Sequence, residues 1–182
     1  MSKARKKVNV RKIRMLIIDI LLIAALIFID QFSKYLAVIR LKDKPAFPII
    51  NGILELNYLE NHGAAFGMLQ NQRVFFIFVE VIVLGAIAYI LYKTPNNKKY
   101  TRMHILLSLI AAGAIGNMVD RIRFNYVVDF IYIVLINFPI FNLADVYVTF
   151  STAILVLSLL FYYKESDLEF ISLKQKKYRE IN

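Results

Sequence analysis

The sequence predicts an α-helical membrane protein. It is expected to have four transmembrane helices, a small β-sheet outside the membrane and a short helical segment at the outer surface. Three observations carry this. Hydrophobic residues make up 59% of 182 residues, and the mean hydropathy of +0.56 is too high for an ordinary soluble domain. Four apolar segments each approach the ~20 residues that cross ~30 Å of hydrocarbon. The cations cluster at both chain ends and in one central loop, as cytoplasmic flanks do. The length suits a single membrane-embedded domain over 1–182, with a basic N-terminal extension at 1–14 and a charged tail at 164–182.

The first segment runs from Met15 to about Val38. The head before it holds Lys3, Arg5, Lys6, Lys7, Arg11, Lys12 and Arg14. A basic head before Met15–Ile29 imitates a secretory signal peptide, but no small-residue cleavage site follows, so it reads as a retained span. The others are Val74–Tyr92, Met103–Val119 and Leu143–Tyr163. A fifth apolar run, Tyr126–Phe141, is decided by charge parity. The N-terminus, the loop Lys93–Arg102 and the tail with Lys174, Lys176, Lys177 and Arg179 all read as cytoplasmic. An even number of spans must separate them. Tyr126–Phe141, with Asp129 and Pro139, is therefore expected to lie at the outer surface, irregular or briefly helical.

Both long connections, 39–73 and 120–142, then fall outside. Outside cations, Arg40, Lys42, Lys44, Arg73, Arg121 and Arg123, dilute the charge bias. Asn51-Gly52 between apolar runs, with Leu54, Leu56 and Tyr58 alternating against Glu55, Asn57 and Leu59, reads as a β-hairpin.

Acids inside apolar segments need a reason, because each costs roughly 2.5–3.5 kcal/mol at a span centre. Asn142 reads as the N-cap of the last span, which puts Asp145 at N3, where backbone N–H groups and the helix dipole favour a carboxylate. Asp129 has only apolar neighbours and must face water or a partner. Two carboxylates brought close cannot both ionise easily, so they share a proton and divide general acid and base work. The sixteen-residue spacing permits this pairing and does not establish it.

Asn117, Asp120 and Arg121 share one helix face, open also to a plain helix-end ion pair. Ala112, Gly113 and Gly116 suit close helix packing. Asp30 and Lys34 form an i, i+4 pair beside Gln31, readable as an ordinary salt bridge. Asn61–Gly67 reads as a turn, or as a close approach to an extended peptide. Asp19 is expected to reach water at the cytoplasmic end, and Glu80 has no evident partner. Ser33 and Lys34 are adjacent and do not share a face, against a Ser–Lys dyad. His62 and His104 fall on opposite membrane sides, so no zinc site is expected. The absence of cysteine excludes thiol chemistry and disulfides. The basic clusters flank apolar spans, which favours a membrane surface over nucleic acid.

The ordered set DQFSK (30–34), NHGAAFG (61–67), GNMVDR (116–121), VVDF (127–130) and FNLAD (141–145) resembles the signature blocks of lipoprotein signal peptidase, the bacterial type II signal peptidase family. The resemblance implies an aspartic endopeptidase with Asp129 and Asp145 as the catalytic pair. It implies support around the pair and the substrate backbone from Asn117, Arg121 and Asn142. It places Asp30, Lys34, Asn61 and Gly63 at further motif positions near the site, while His62 falls at a variable one. The implied substrate is a prolipoprotein, cut just before a diacylglyceryl-modified cysteine on the outer side of the cytoplasmic membrane. No metal or other cofactor is implied, and globomycin is the implied inhibitor. A β-cradle for the substrate and a helical lid between Arg121 and Asn142 are further expectations. The same acids would also suit a proton-coupled transporter, but that class gathers polar residues near the midplane. A non-catalytic scaffold leaves the acid pair unexplained.

Overall fold

The computed structural model describes residues 3–63 and 70–171, with the side chains of 3–9 and 11 left aside. Four long helices run through it: α1 (Lys3–Leu41), α2 (Arg73–Lys93), α3 (Thr101–Phe124) and α4 (Leu143–Phe161). Strands β1 (Phe47–Ile50), β2 (Leu54–Asn61) and β3 (Val127–Ile133) form one antiparallel sheet in the order β1-β2-β3. Among the described residues, α2, α3 with the turn before it, and α4 are long and apolar enough to cross a membrane. The apolar stretch from Met15 lies within α1, which is 39 residues long because the helix also runs through the basic head. Residues 172–182 of the tail and 64–67 of the NHGAAFG motif lie outside the described residues.

Burial shows which helix is central. Over half of the apolar window of α3 is inside the protein (56%), against 11% for α2 and 17% for α4. The outer helices instead expose Phe28, Val74, Phe78 and Phe161, apolar surface that only lipid covers at little cost. The close packing comes from small residues. A Cβ on Gly113 would lie 2.5 Å from the Ala144 carbonyl oxygen and 2.7 Å from Val148 Cγ2. Gly113→Val therefore forces α3 and α4 apart. Overpacking of this kind costs about 1–3 kcal/mol, and the thermal midpoint in detergent is expected to fall by about 5 °C or more. An unchanged midpoint would show that the contact is not tight.

Two apolar clusters mark the ends of the bundle. At one end Ile87, Leu91, Tyr100, Met103, Leu107 and Tyr163 pack together. At the other, Ala37 of α1 meets Val128 and Phe130 of β3, with Leu56 and Tyr58 of β2 against them. The sheet thus caps the second end. Its hairpin turns at Asn51-Gly52, where Gly52 takes φ +71°, a conformation that costs glycine nothing.

Tyr126–Phe141 differs from the expectation of an irregular or helical segment. It supplies one short helical turn, the 3-10 turn Val134–Ile136, but its longest element is the strand β3. The reason is local and tertiary together. Val127, Val128, Ile131 and Ile133 are β-branched, and β2 offers an unpaired edge, giving the pairs Leu59–Asp129 and Asn61–Val127. Asp129 therefore reaches its position on a strand.

Candidate active site

Asp129 is fully buried, at 1% exposure. Strand alternation sends it to the face opposite Val128 and Phe130. Asn61 lies diagonally across the β2–β3 ladder on that face and donates from Nδ2 to Asp129 Oδ2 at 2.8 Å. The Gly63 N–H donates to Asn61 Oδ1 at 3.0 Å, which fixes the amide with its NH2 toward the carboxylate. Asn142 Nδ2 donates to Asp129 Oδ1 at 2.6 Å.

Asp145 arrives by a different route. Asn142 is the N-cap of α4 and Asp145 is N3, in a reciprocal capping box. The Asp145 N–H donates to Asn142 Oδ1 at 3.1 Å, and the Asn142 N–H donates to Asp145 Oδ2 at 3.1 Å. Asn117 Nδ2 donates to Asp145 Oδ1 at 2.8 Å. Asn142 is therefore the hinge of the site. Its amide holds Asp129, its own backbone holds Asp145, and it also donates to Asn117 Oδ1 at 3.2 Å. Cap and site geometry are one arrangement.

Below the pair lies a buried charge cluster. Lys34 Nζ sits 3.0 Å from Asp30 Oδ2 and 3.0 Å from Asp120 Oδ2, and it donates to Asn117 Oδ1 at 2.9 Å. Three acceptors saturate an ammonium. Gln31 Nε2 bridges Asp30, Asp120 and the Gly116 carbonyl. Each acid also grips the element that carries one of the pair. Asp30 Oδ1 accepts from the Ala144 N–H, in the first turn of α4, at 3.0 Å. Asp120 Oδ2 accepts from the Val128 N–H, beside Asp129, at 3.2 Å. The Asp30–Lys34 pair is thus no exposed surface bridge, since all three charged side chains are nearly inaccessible.

Burial raises the Asp129 carboxyl to about 7, with the Asp145 charge adding to the rise and the Asn61 and Asn142 donors opposing it. Below about pH 7 Asp129 keeps its proton, while both Asp145 oxygens receive N–H donors, an arrangement suited to a carboxylate.

Sequence reasoning placed Asp129, Asp145, Asn61, Gly63, Asn117, Asn142, Asp30 and Lys34 in one region, and the structure brings them into one network. Arg121 stands beside it. Its guanidinium pairs with Glu80 of α2 and stacks 4.8 Å from the Phe76 ring centre. No bond from Arg121 to either aspartate occurs among the described contacts. Glu80, without a partner in the sequence, thereby gains one. Gln31 and Asp120 stand inside the DQFSK and GNMVDR blocks, but nothing in one sequence marks Asp120 as a second acid on Lys34 or Gln31 as the bridge between the two acids. Asp19 does not reach water. It is 4% exposed and lies 2.8 Å from His104 Nδ1 of α3, because it shares the inward face of α1 with Asp30, Lys34 and Ala37. His62 lies against the Tyr126 ring. Among the described residues, no group of three or more His, Asp or Glu side chains is placed to hold a metal ion.

Comparison with known proteins adds an independent line. The family profile described as "Signal peptidase (SPase) II" matches residues 22–161. A curated lipoprotein signal peptidase of Caldanaerobacter subterraneus subsp. tengcongensis is 44% identical over 137 residues, covering 75% of this chain and 91% of its own. One from Streptococcus pyogenes serotype M5 is 39% identical over 156 residues, covering 86% and 97%. A bacterial membrane enzyme solved in meso at 2.3 Å superposes with a TM-score of 0.72 at 32% identity, over 87% of this chain and 94% of its own. A second, at 1.9 Å, gives 0.70 at 33% identity, over 80% and 94%.

Proposed function

The chain belongs to the signal peptidase II family, and from that premise we propose that it is an aspartic endopeptidase of prolipoproteins, with Asp129 and Asp145 as the catalytic pair. The observation that carries this reading is Asn142, which bonds both carboxylates at once. Asp145 takes a proton from water as the water oxygen adds to the scissile carbonyl carbon. Asp129 gives its proton to the carbonyl oxygen. In the second half the proton on Asp145 passes to the leaving amide nitrogen, the C–N bond breaks, and a hydroxyl of the intermediate returns a proton to Asp129. No covalent enzyme intermediate is needed, and both carboxyl groups end as they began.

Asn61 and Asn142 orient Asp129, Asn117 orients Asp145, and Lys34 with Asp30 and Asp120 positions both supporting elements. Gly63 fixes Asn61, and Arg121, held by Glu80, offers a cation beside the site for substrate carbonyl groups. The substrate is a prolipoprotein carrying diacylglycerol on cysteine, cut just before that residue. The lipid anchors the peptide at the bilayer surface, where the sheet end of the bundle meets it. The sheet end is extracytoplasmic, both termini are cytoplasmic, and the membrane is the bacterial cytoplasmic membrane. A globomycin-type cyclic peptide would occupy the same cleft. The polar network gathers at the sheet end of α1, α3 and α4, which favours this reading over a transporter with a midplane site.

The test is direct. Purified protein is expected to cleave a diacylglyceryl-modified prolipoprotein and to leave the unmodified precursor uncut. Folded protein that cuts neither would overturn the proposal. The rate carries a pH signature as well. Asp129 must hold its proton, so kcat is expected to fall tenfold per pH unit above an apparent pKa near 7, a value that belongs to the coupled pair. A rate still rising at pH 9 would remove Asp129 from the acid role.

A further inference from the structure

At the end of the bundle away from the aspartates, a cleft of about 330 Å³ opens between α1 and the turn joining α2 to α3. This is the size of a small-ligand pocket. Arg14, Met15 and Ile18 of α1 form one wall, and Lys98 and Thr101 stand on the other side. We propose that this cleft binds the phosphate headgroup of an anionic phospholipid.

The charges are the first argument. Most cations around this turn are engaged. Lys12 lies 3.7 Å from the Tyr92 ring centre, Lys93 5.6 Å from that of Tyr89, and Arg102 4.6 Å from that of Tyr162. Lys99 pairs with Asp167 at 2.6 Å. Arg14 and Lys98, the two cations of the cleft, have neither an acid nor a ring among the described contacts. The same edge is the start of α3, whose first turn holds no acid and whose N-cap, Tyr100, gives no side-chain bond to the first N–H groups of the helix, its hydroxyl donating instead to the Asp167 carbonyl. The Asn97 side chain caps the turn that leads into it, accepting from the Lys99 N–H at 3.0 Å, but no acid offsets the positive end of this 24-residue helix beside the two cations. An anion is the complement, and a phosphate accepts from a guanidinium and an ammonium together.

The second argument selects a lipid over free phosphate. Arg14 is the last cation of the basic head, and Met15 begins the apolar segment. The cleft straddles that boundary. Ile18, 44% exposed, continues its wall one turn deeper. Inorganic phosphate gains nothing from such a wall. A glycerophospholipid has its own charge-to-chain boundary at the same level, with phosphate on Arg14 and Lys98 and acyl chain along Met15 and Ile18.

Native mass spectrometry of the detergent-solubilised protein tests this, with phosphatidylglycerol, phosphatidylcholine and inorganic phosphate as probes. Wild type is expected to retain one phosphatidylglycerol in preference to phosphatidylcholine. Arg14→Gln and Lys98→Gln each weaken retention about fivefold, and the double variant about 25-fold, from the effect of one basic residue at a membrane surface. Lys44→Gln, at the sheet end, leaves it unchanged. Thr101→Glu keeps the fold in hand. An acid in the first turn stabilises α3, so its loss of lipid with an unchanged or higher thermal midpoint can come only from charge in the cleft. Retention by the double variant equal to wild type overturns the proposal, as does equal retention of the two lipids. Displacement of phosphatidylglycerol by millimolar inorganic phosphate overturns it in favour of a free-anion site.

Discussion

Asp129→Asn and Asp145→Asn each lower prolipoprotein cleavage by a factor on the order of 10³ while the protein stays folded. Positioned acid–base groups contribute 10²–10⁴, and asparagine keeps the shape of aspartate without its proton chemistry. The stability arm separates catalysis from folding. Asp129 has its folded pKa raised to about 7 from 3.8. The stability it contributes is therefore full below the unfolded value and lost as pH rises through the folded one. At pH 8 the wild type holds a desolvated carboxylate that Asp129→Asn removes. The variant's thermal midpoint is expected to equal or exceed that of wild type at pH 8, and the difference should vanish near pH 4. Either variant keeping more than a tenth of wild-type activity removes that residue from the pair.

Lys34→Met is expected to be the most damaging single change outside the pair. It leaves Asp30 and Asp120 buried without their shared cation. Removing one partner from a buried ion pair costs about 3–5 kcal/mol, much of the 5–15 kcal/mol that holds a typical domain. The loss also frees the first turn of α4 and the start of β3, because the two acids hold the N–H groups of Ala144 and Val128. Folded yield and thermal midpoint should both drop sharply. Adding Asp30→Asn and Asp120→Asn should recover much of the yield but not the activity, since the orientation of Asn117 is still lost. Lys34→Met with a wild-type midpoint would show that the cluster is not structural.

What the sequence revealed follows the range of each interaction. The helices, the Asn51-Gly52 hairpin and the Asn142–Asp145 cap are set within a few residues, and each was legible. β3 was not, because an apolar run without alternation becomes a strand only when an edge is offered. That edge, β2, lies some seventy residues earlier. The same distance hid the polar pairings. Glu80 and Arg121 are 41 residues apart, and Asp19 and His104 are 85 apart. Asp19 was expected in water because its place near a chain end was visible and its facing helix was not. The candidate site residues stand in ordered motifs, but how they touch was not legible there. Nothing in the spacing shows that Lys34 is shared by two acids, or that Asn142 is shared by both members of the pair.

The reciprocal cap at the start of α4 has a consequence for the length of the chain as well as its identity. Asp145 points at its neighbours because it stands three residues after the cap. An inserted or deleted residue between Asn142 and Asp145 would swing the carboxylate by about 100° around the helix axis while leaving every side chain in this turn chemically intact. The spacing FNLAD is thus a ruler as well as a label. A homologue with all the right residues but one more or one fewer in this turn should fold its last helix and yet be inactive.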